Sequence, residues 1–104
     1  MATEIGNAVF VLPDWYDERA AFETPLKGWF DGASVRLADG ACYAVIFYDP
    51  VRLAQTLEDD AREGRPFFAE PNLIVLNEVT EENMRAAVDA LARQGFFQHL
   101  KPLP

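Results

Sequence analysis

The sequence predicts an α+β two-layer sandwich, in which a mostly antiparallel sheet of about four strands carries two main helices on one face. The length of 104 residues suits one domain and leaves no room for a second core, so residues 1–104 are expected to fold together. Short β-rich segments alternate with segments at helical spacing. Half of the residues are apolar and a quarter are charged, which is typical of a folded domain.

The first predicted elements are a short strand and a short helix. The apolar run at residues 8–12 predicts the strand. Asp14 can cap a helix that reaches Phe22, and this helix would place Trp15 and Phe22 on one face because they are seven residues apart. The helix should end before Pro25, since the residue preceding a proline is biased toward extended backbone.

A hairpin is predicted at Asp39-Gly40, between β-rich segments at residues 33–38 and 41–48. Asp-Gly suits the positive backbone angles of a two-residue type I′ turn, which would place Arg36 opposite Tyr43. With this register, one sheet face carries Val35, Leu37, Cys42, Ala44 and Ile46, and the other carries Ser34, Arg36, Tyr43, Val45 and Phe47.

Two longer helices and a further strand complete the predicted fold. Asp49-Pro50 starts a helix by the rule of an Asp cap followed by Pro, and Gly64 ends it. Thr80 caps the next helix and Gly95 closes it. Between them, residues 73–79 predict a buried strand of open direction. The apolar stripes of the helices are Leu53, Leu57 and Ala61 in the first and Met84, Ala87, Val88 and Leu91 in the second.

Net charge, apolar run length and cysteine content limit the partners and the cellular location that we expect. Seventeen Asp and Glu against nine scattered Lys and Arg give a net charge of -8, which disfavours nucleic acid and anionic membranes. The apolar runs are too short to span a bilayer, and the first residues do not have the pattern of a signal peptide. A single cysteine allows no internal disulfide, so a cytoplasmic location is expected.

Catalytic and metal-binding patterns are weak throughout. Ser34, Cys42 and His99 are each the only residue of their type, and Cys42 is expected to pack on an apolar strand face. The run Glu58-Asp59-Asp60 occupies consecutive helical positions, which point in different directions. We therefore expect no metal, no cofactor and no catalytic residue. Four carboxylates near one end of the sheet would need a deep cleft to act: Glu70, Glu78, Glu81 and Glu82.

The leading functional hypothesis is a non-catalytic protein-interaction module that forms a homodimer. Two helices can cover one sheet face, while the face predicted to hold Arg36 and Tyr43 has no third long helix. The early helix or the apolar tail at residues 96–104 could instead fold over it. An uncovered apolar face tends to mark an interface. The predicted binding residues are Trp15, Tyr16, Trp29, Arg36, Tyr43 and Phe47.

The alternative hypothesis is a small-molecule binding domain or a minor enzyme. Its pocket would lie between sheet and helices, with Trp29, Tyr43 and Phe68 as walls and Arg36 or Glu78 as the polar contact. A third alternative is a structural subunit of a larger complex. A pocket would favour ligand binding, whereas a solid core would favour the interaction module.

Overall fold

The computed structural model describes residues 2–5 and 8–104, and its five strands form one mixed sheet. The predicted α+β class with a mostly antiparallel sheet is confirmed. In chain order, the elements are β1 (Ala2–Ile5), β2 (Ala8–Val11), α1 (Glu18–Lys27), β3 (Trp29–Leu37), β4 (Cys42–Tyr48), α2 (Pro50–Arg62), β5 (Leu73–Val75), α3 (Glu81–Arg93) and a 3₁₀ turn (Phe96–His99).

The strands lie in the sheet in the same order as in the chain. β1 to β4 form an antiparallel meander, and β5 joins parallel to β4 after the crossover through α2. The direction of β5, open from the sequence, is therefore settled as parallel, with Tyr48 beside Val75. β5 is shorter than the predicted strand at residues 73–79, although Leu76 and Val79 are still buried.

The turn between β3 and β4 differs from the prediction. The predicted two-residue turn at Asp39-Gly40 is wrong, because the loop contains three residues, 38–40. The Leu37 N–H donates to the Ala41 carbonyl at 2.9 Å, and the Gly40 N–H donates to the Leu37 carbonyl at 2.9 Å. Gly40 has a φ of 87°, as the third residue of such a loop requires.

The longer loop changes which side chains share a face. Val35 lies opposite Tyr43, and Arg36 lies opposite Cys42. A one-residue change of register exchanges the faces of a whole strand, so the predicted faces are wrong. One face, here called the covered face, holds Ala33, Val35, Tyr43, Val45 and Phe47, and the other, the second face, holds Ser34, Arg36, Cys42, Ala44, Ile46 and Tyr48.

The core lies between the covered face and the elements packed on it. α3 contributes Met84 and Val88, which are fully buried as its apolar stripe predicts. In the 3₁₀ turn, Phe97 is buried with its ring 6.0 Å from that of Tyr43. The tail then runs along the edge of β4, where the Leu103 N–H donates to a strand carbonyl at 2.6 Å. The apolar tail therefore docks on the body of the protein.

α2 forms as the sequence predicts but contributes little to the core. The Asp49 carboxylate caps it by accepting from the Arg52 N–H at 2.7 Å. Along this fully described helix no side chain is buried, and Leu57 of the predicted stripe is exposed. The helix serves mainly to carry the chain from β4 to β5.

α1 begins and ends later than the predicted helix at residues 14–22. Asp17 caps it, and the predicted end before Pro25 is wrong because the helix continues through Pro25 to Lys27, with Gly28 as its C-cap. Pro25 removes one backbone N–H from the helix. Two other bonds hold this turn: the Thr24 hydroxyl donates to the Ala20 carbonyl at 2.7 Å, and the Gly28 N–H donates to the Thr24 carbonyl at 3.0 Å.

Candidate functional site

α1 carries its large apolar side chains on the side that faces away from the core. Phe22 is 72% exposed and Leu26 is 76% exposed, while Thr24 is buried and Ala20 packs against the core. Positions two residues apart differ by about 200° around a helix axis, so the two pairs lie on opposite sides. A surface helix normally does the reverse. Phe22 and Leu26 are called the α1 ridge below.

The connection to β3 fixes this orientation of α1. Gly28 alone separates the helix from the strand, and it has a φ of 78°. Its carbonyl accepts from the Asp49 N–H at 2.8 Å, and a Cβ at this position would lie 2.6 Å from the Asp49 carboxylate. A side chain here would therefore meet both strain and a steric clash. Because this junction is so short and so closely held, α1 cannot easily rotate to bury the ridge.

Charged residues line the flank of α1 beside the ridge. The carboxylate of Glu23 lies 2.8 Å from the Arg19 guanidinium and 3.8 Å from the Lys27 ammonium. The hydrogen bond from Arg19 lowers the pKa of Glu23. These pairs are exposed, so they orient the side chains more than they stabilise the fold.

Trp15 adds exposed aromatic surface across a cleft from α1. Its side chain is 63% exposed, and its ring packs 5.6 Å from that of Phe30. The cleft between α1 and the start of β3 has a volume of about 210 Å³. Its lining combines three aromatic residues with charged ones: Trp15, Trp29, Phe30, Asp17, Arg19, Glu23, Lys27 and Asp31.

A second, more open cleft lies where α1 meets α3. It has a volume of about 440 Å³ and is bordered by three carboxylates, Asp17, Glu18 and Glu81. Tyr16 also lines it, and among the described residues the buried Tyr16 hydroxyl has no hydrogen-bond partner. The border near the N-terminus of α1 is therefore acidic.

The second face of the sheet is partly covered. Its apolar side chains, Val9, Val11, Ala44, Ile46 and Leu73, are half-buried, and Val75 is exposed. At one end the Arg52 guanidinium lies 5.7 Å from the centroid of Trp29, and the Phe68 ring stacks on Tyr48 at 5.6 Å. These contacts shield this end of the face from solvent.

The structure does not bring the six predicted binding residues together. Tyr16, Tyr43 and Phe47 belong to the core and are not available to a partner, because the true register turns the last two toward the helices. Arg36 is exposed on the second face, so it does not stack on Tyr43. Of the others, Trp29 is half-buried beneath Arg52, and Trp15 is exposed.

The predicted small-molecule pocket is also divided. Trp29 lines the cleft beside α1, whereas Phe68 lines a separate cleft with Thr56 and Asp60 of α2. Tyr43 lies in the core, where its ring packs 6.0 Å from that of Phe97. The proposed walls therefore do not form one pocket.

The Cys42 thiol donates to the Gly40 carbonyl at 3.7 Å. Cys42 is half-buried at the start of β4, and His99 is exposed in the 3₁₀ turn. Within residues 2–5 and 8–104, no three His, Cys, Asp or Glu side chains converge in a way that could hold a metal ion. Over the same part of the chain, every helix is too short or too polar to cross a membrane.

Sequence reasoning missed the α1 ridge as a surface. Leu26 lies beyond the predicted helix end, so the predicted helix does not contain its one-turn spacing from Phe22. The interleaved small residues Ala20 and Thr24 were the available signal, since they allow a helix to lie close to a strand while its bulky residues face outward. Comparison with known proteins finds no matching family model, curated protein or solved structure.

Proposed function

We propose that this protein is a small, non-catalytic interaction module that forms a homodimer through the α1 ridge. The observation that carries this proposal is the outward orientation of Phe22 and Leu26, which are more than two-thirds exposed. Monomeric proteins tolerate single exposed apolar residues, but an adjacent pair on a rigid helix offers a ready contact. The single cysteine is compatible with action in a reducing cytoplasm.

The energetics of the ridge suit a weak and reversible dimer. Burying one Phe or Leu side chain contributes about 1.5–3 kcal/mol. A symmetric dimer buries Phe22 and Leu26 of both copies. Association costs roughly 4 kcal/mol or more in lost freedom of motion. The ridge alone therefore supports an affinity that becomes visible at high protein concentration.

The ridge is a stronger candidate than the second face of the sheet. The apolar side chains of the second face are already half-buried by their neighbours, and Arg52 and Phe68 cover one end. The ridge side chains have no comparable cover. More apolar area per residue is thus removed from water when a partner binds the ridge.

Ligand binding is less well supported. Ligand pockets usually have volumes of about 300–1,000 Å³ and enclose most of the ligand. The cleft beside α1 is smaller, at about 210 Å³, and the larger one near Glu81 is an open depression. We therefore favour the interaction module over the small-molecule alternative.

Sedimentation equilibrium over roughly 10 µM to 1 mM tests the proposal. The weight-average mass of the wild type should rise from 11.7 kDa toward twice that value. The double variant Phe22→Gln/Leu26→Gln should stay monomeric and keep its urea midpoint, because both side chains are exposed and Gln retains helix propensity.

The matched control replaces two exposed apolar residues of α2. Val51→Gln/Leu57→Gln should leave the association of the wild type unchanged. A wild type that remains monomeric over the whole concentration range would overturn the proposal. So would a Phe22→Gln/Leu26→Gln variant that associates as strongly as the wild type.

A further inference from the structure

We propose that the edge of β4 at residues 42–44 is a docking site for an extended peptide segment of a protein partner. The last residues of the chain, 101–104, are called the strap below and occupy this edge when no partner is bound. The site involves no residue of the α1 ridge, so the proposal does not depend on the homodimer. The argument comes from the hydrogen-bonding groups along β4.

The edge of β4 is covered by β5 over part of its length. β4 spans Cys42–Tyr48, whereas β5 pairs with residues 46–48. Residues 42–45 have β3 on one side and, in the part of the chain that the structure describes, no strand on the other. An uncovered strand edge presents N–H and C=O groups to which another chain can add.

The even-numbered residues of β4 direct their backbone groups toward this edge. The Cys42 carbonyl accepts from the Leu103 N–H at 2.6 Å, and the Ala44 carbonyl accepts from the Asn72 side-chain amide at 3.0 Å. The N–H and C=O of one strand residue point to the same side, so the Ala44 N–H also faces this edge. Among the described residues it has no acceptor there. The edge therefore offers a free donor beside an acceptor that the strap engages.

The strap holds this edge through few contacts. The Leu103 N–H supplies a hydrogen bond, but the Leu103 side chain is 47% exposed. In an extended backbone successive N–H groups point to opposite sides, so Pro102 and Pro104 fall where an N–H would point away from β4. Proline has no N–H, so the outer side of the strap lacks the donors that a further strand would need. The strap thus closes the edge and is itself easily displaced.

A cleft of about 240 Å³ lies at the same place. Leu100 forms part of its wall and packs against the core, so it anchors the chain while the strap beyond it is exposed. Sites that accept an added strand combine main-chain hydrogen bonds with a pocket for a side chain. The Cys42 carbonyl, the Ala44 N–H and this cleft provide both parts.

The strap also indicates which occupant fits. It places an extended apolar segment on the edge, with a leucine whose N–H reaches the Cys42 carbonyl. The open edge is short, because the Asn72 carbonyl already accepts from the Ile46 N–H at 3.1 Å. A single extended segment of a few residues therefore suits the site. A segment without prolines can supply more backbone donors than the strap does.

A titration followed by nuclear magnetic resonance tests the proposal with a synthetic peptide as the probe. The peptide has the sequence of residues 99–104 with alanine at both proline positions. The variant Leu103→Pro removes the N–H that bonds to Cys42. It should bind the peptide at least about tenfold more tightly than the wild type, in which the attached strap competes at a local concentration of about 1 mM or more. The Ala44 amide should show the largest change of chemical shift.

Two matched controls separate the backbone contact from the side chain. Leu103→Ala keeps the N–H, so its affinity for the peptide should lie within about threefold of that of the wild type. A second peptide, with proline in place of the leucine that corresponds to Leu103, cannot donate to the Cys42 carbonyl and should not bind Leu103→Pro. Circular dichroism should show the same helix content in both variants and in the wild type.

Hydrogen exchange in the wild type tests the site without any variant. The Ala44 amide should exchange with solvent much faster than the amides of Tyr43 and Val45, which face β3. An Ala44 amide as protected as these two would overturn the proposal, because the edge would then hold no free donor.

The other outcomes of the titration also decide the matter. A peptide that binds neither protein, or binds both equally, overturns the proposal. Sedimentation equilibrium of Leu103→Pro in the Phe22→Gln/Leu26→Gln background shows whether a second copy takes the edge instead. Association in that background would contradict a separate partner, and a monomer supports it.

Discussion

The ring and the hydroxyl of Tyr16 have opposite effects on the stability of the fold. Its side chain is buried, and its ring packs edge-on against Phe30 at 5.3 Å. Within the described residues its buried hydroxyl has no hydrogen-bond partner. Burying an unpaired hydroxyl costs about 1–3 kcal/mol. Tyr16 therefore stabilises the fold through its ring, and its hydroxyl opposes that effect.

The variant Tyr16→Phe should raise the free energy of unfolding by about 1 kcal/mol, because it keeps the ring and removes the unpaired hydroxyl. Urea denaturation at neutral pH measures this change. Tyr48→Phe, at a half-buried position, is the control and should give no such gain. A clear loss of stability in Tyr16→Phe would show that the hydroxyl is satisfied in solution.

The same residue predicts a dependence of stability on pH. Burial, and to a lesser extent the nearby Glu81, raises the pKa of Tyr16. A phenol whose pKa is raised by folding contributes stability that is fully present below its unfolded pKa of about 10 and is lost as pH rises through the folded pKa. Above about pH 10, the free energy of unfolding should fall more steeply for the wild type than for Tyr16→Phe. Urea denaturation from about pH 8 to 11, a range that brackets the ordinary tyrosine pKa, measures this. The prediction is contradicted if the free energy of unfolding falls equally with pH in the wild type and in Tyr16→Phe.

At the scale of elements, the 3₁₀ turn after α3 completes the core. Phe97 is 1% exposed and contacts the rings of Tyr43 and Phe96 at 6.0 and 5.3 Å. Phe97→Ala should destabilise the protein by about 3–5 kcal/mol, because the cavity would open beneath the sheet. Urea denaturation tests this, with the exposed Phe67→Ala as a control expected to change stability by less than about 0.5 kcal/mol. If Phe97→Ala and Phe67→Ala change stability equally, the tail does not dock on the core.

Local signals predicted several elements well and others poorly. The caps Asp49 and Thr80 placed the starts of α2 and α3 because a side-chain oxygen satisfies the free N–H groups of the first turn. The predicted helix end before Pro25 is wrong because other contacts compensate for one lost hydrogen bond near a helix end, and a local pattern does not contain those contacts. The predicted loop length at Asp39-Gly40 is wrong because the same dipeptide fits both a two-residue and a three-residue loop.

At the scale of the whole molecule, the sequence predicted the class of fold better than the residues that each sheet face carries. The class of fold follows from the order of β-rich and amphipathic segments. The identity of the uncovered side chains does not, because it depends on a register that changes with one loop residue. The α1 ridge escapes prediction because its helix orientation is set by the junction at Gly28, where chain segments distant in sequence meet.

The central claim is that Phe22 and Leu26 form the contact between copies. Amide chemical shifts recorded while the protein is diluted from about 1 mM to 50 µM locate that contact residue by residue. We predict that the largest shift changes fall within Glu18–Lys27, with little change at residues 34–36 and 42–46 of the second face. Changes centred on the second face, or shifts that do not depend on concentration, would contradict the account.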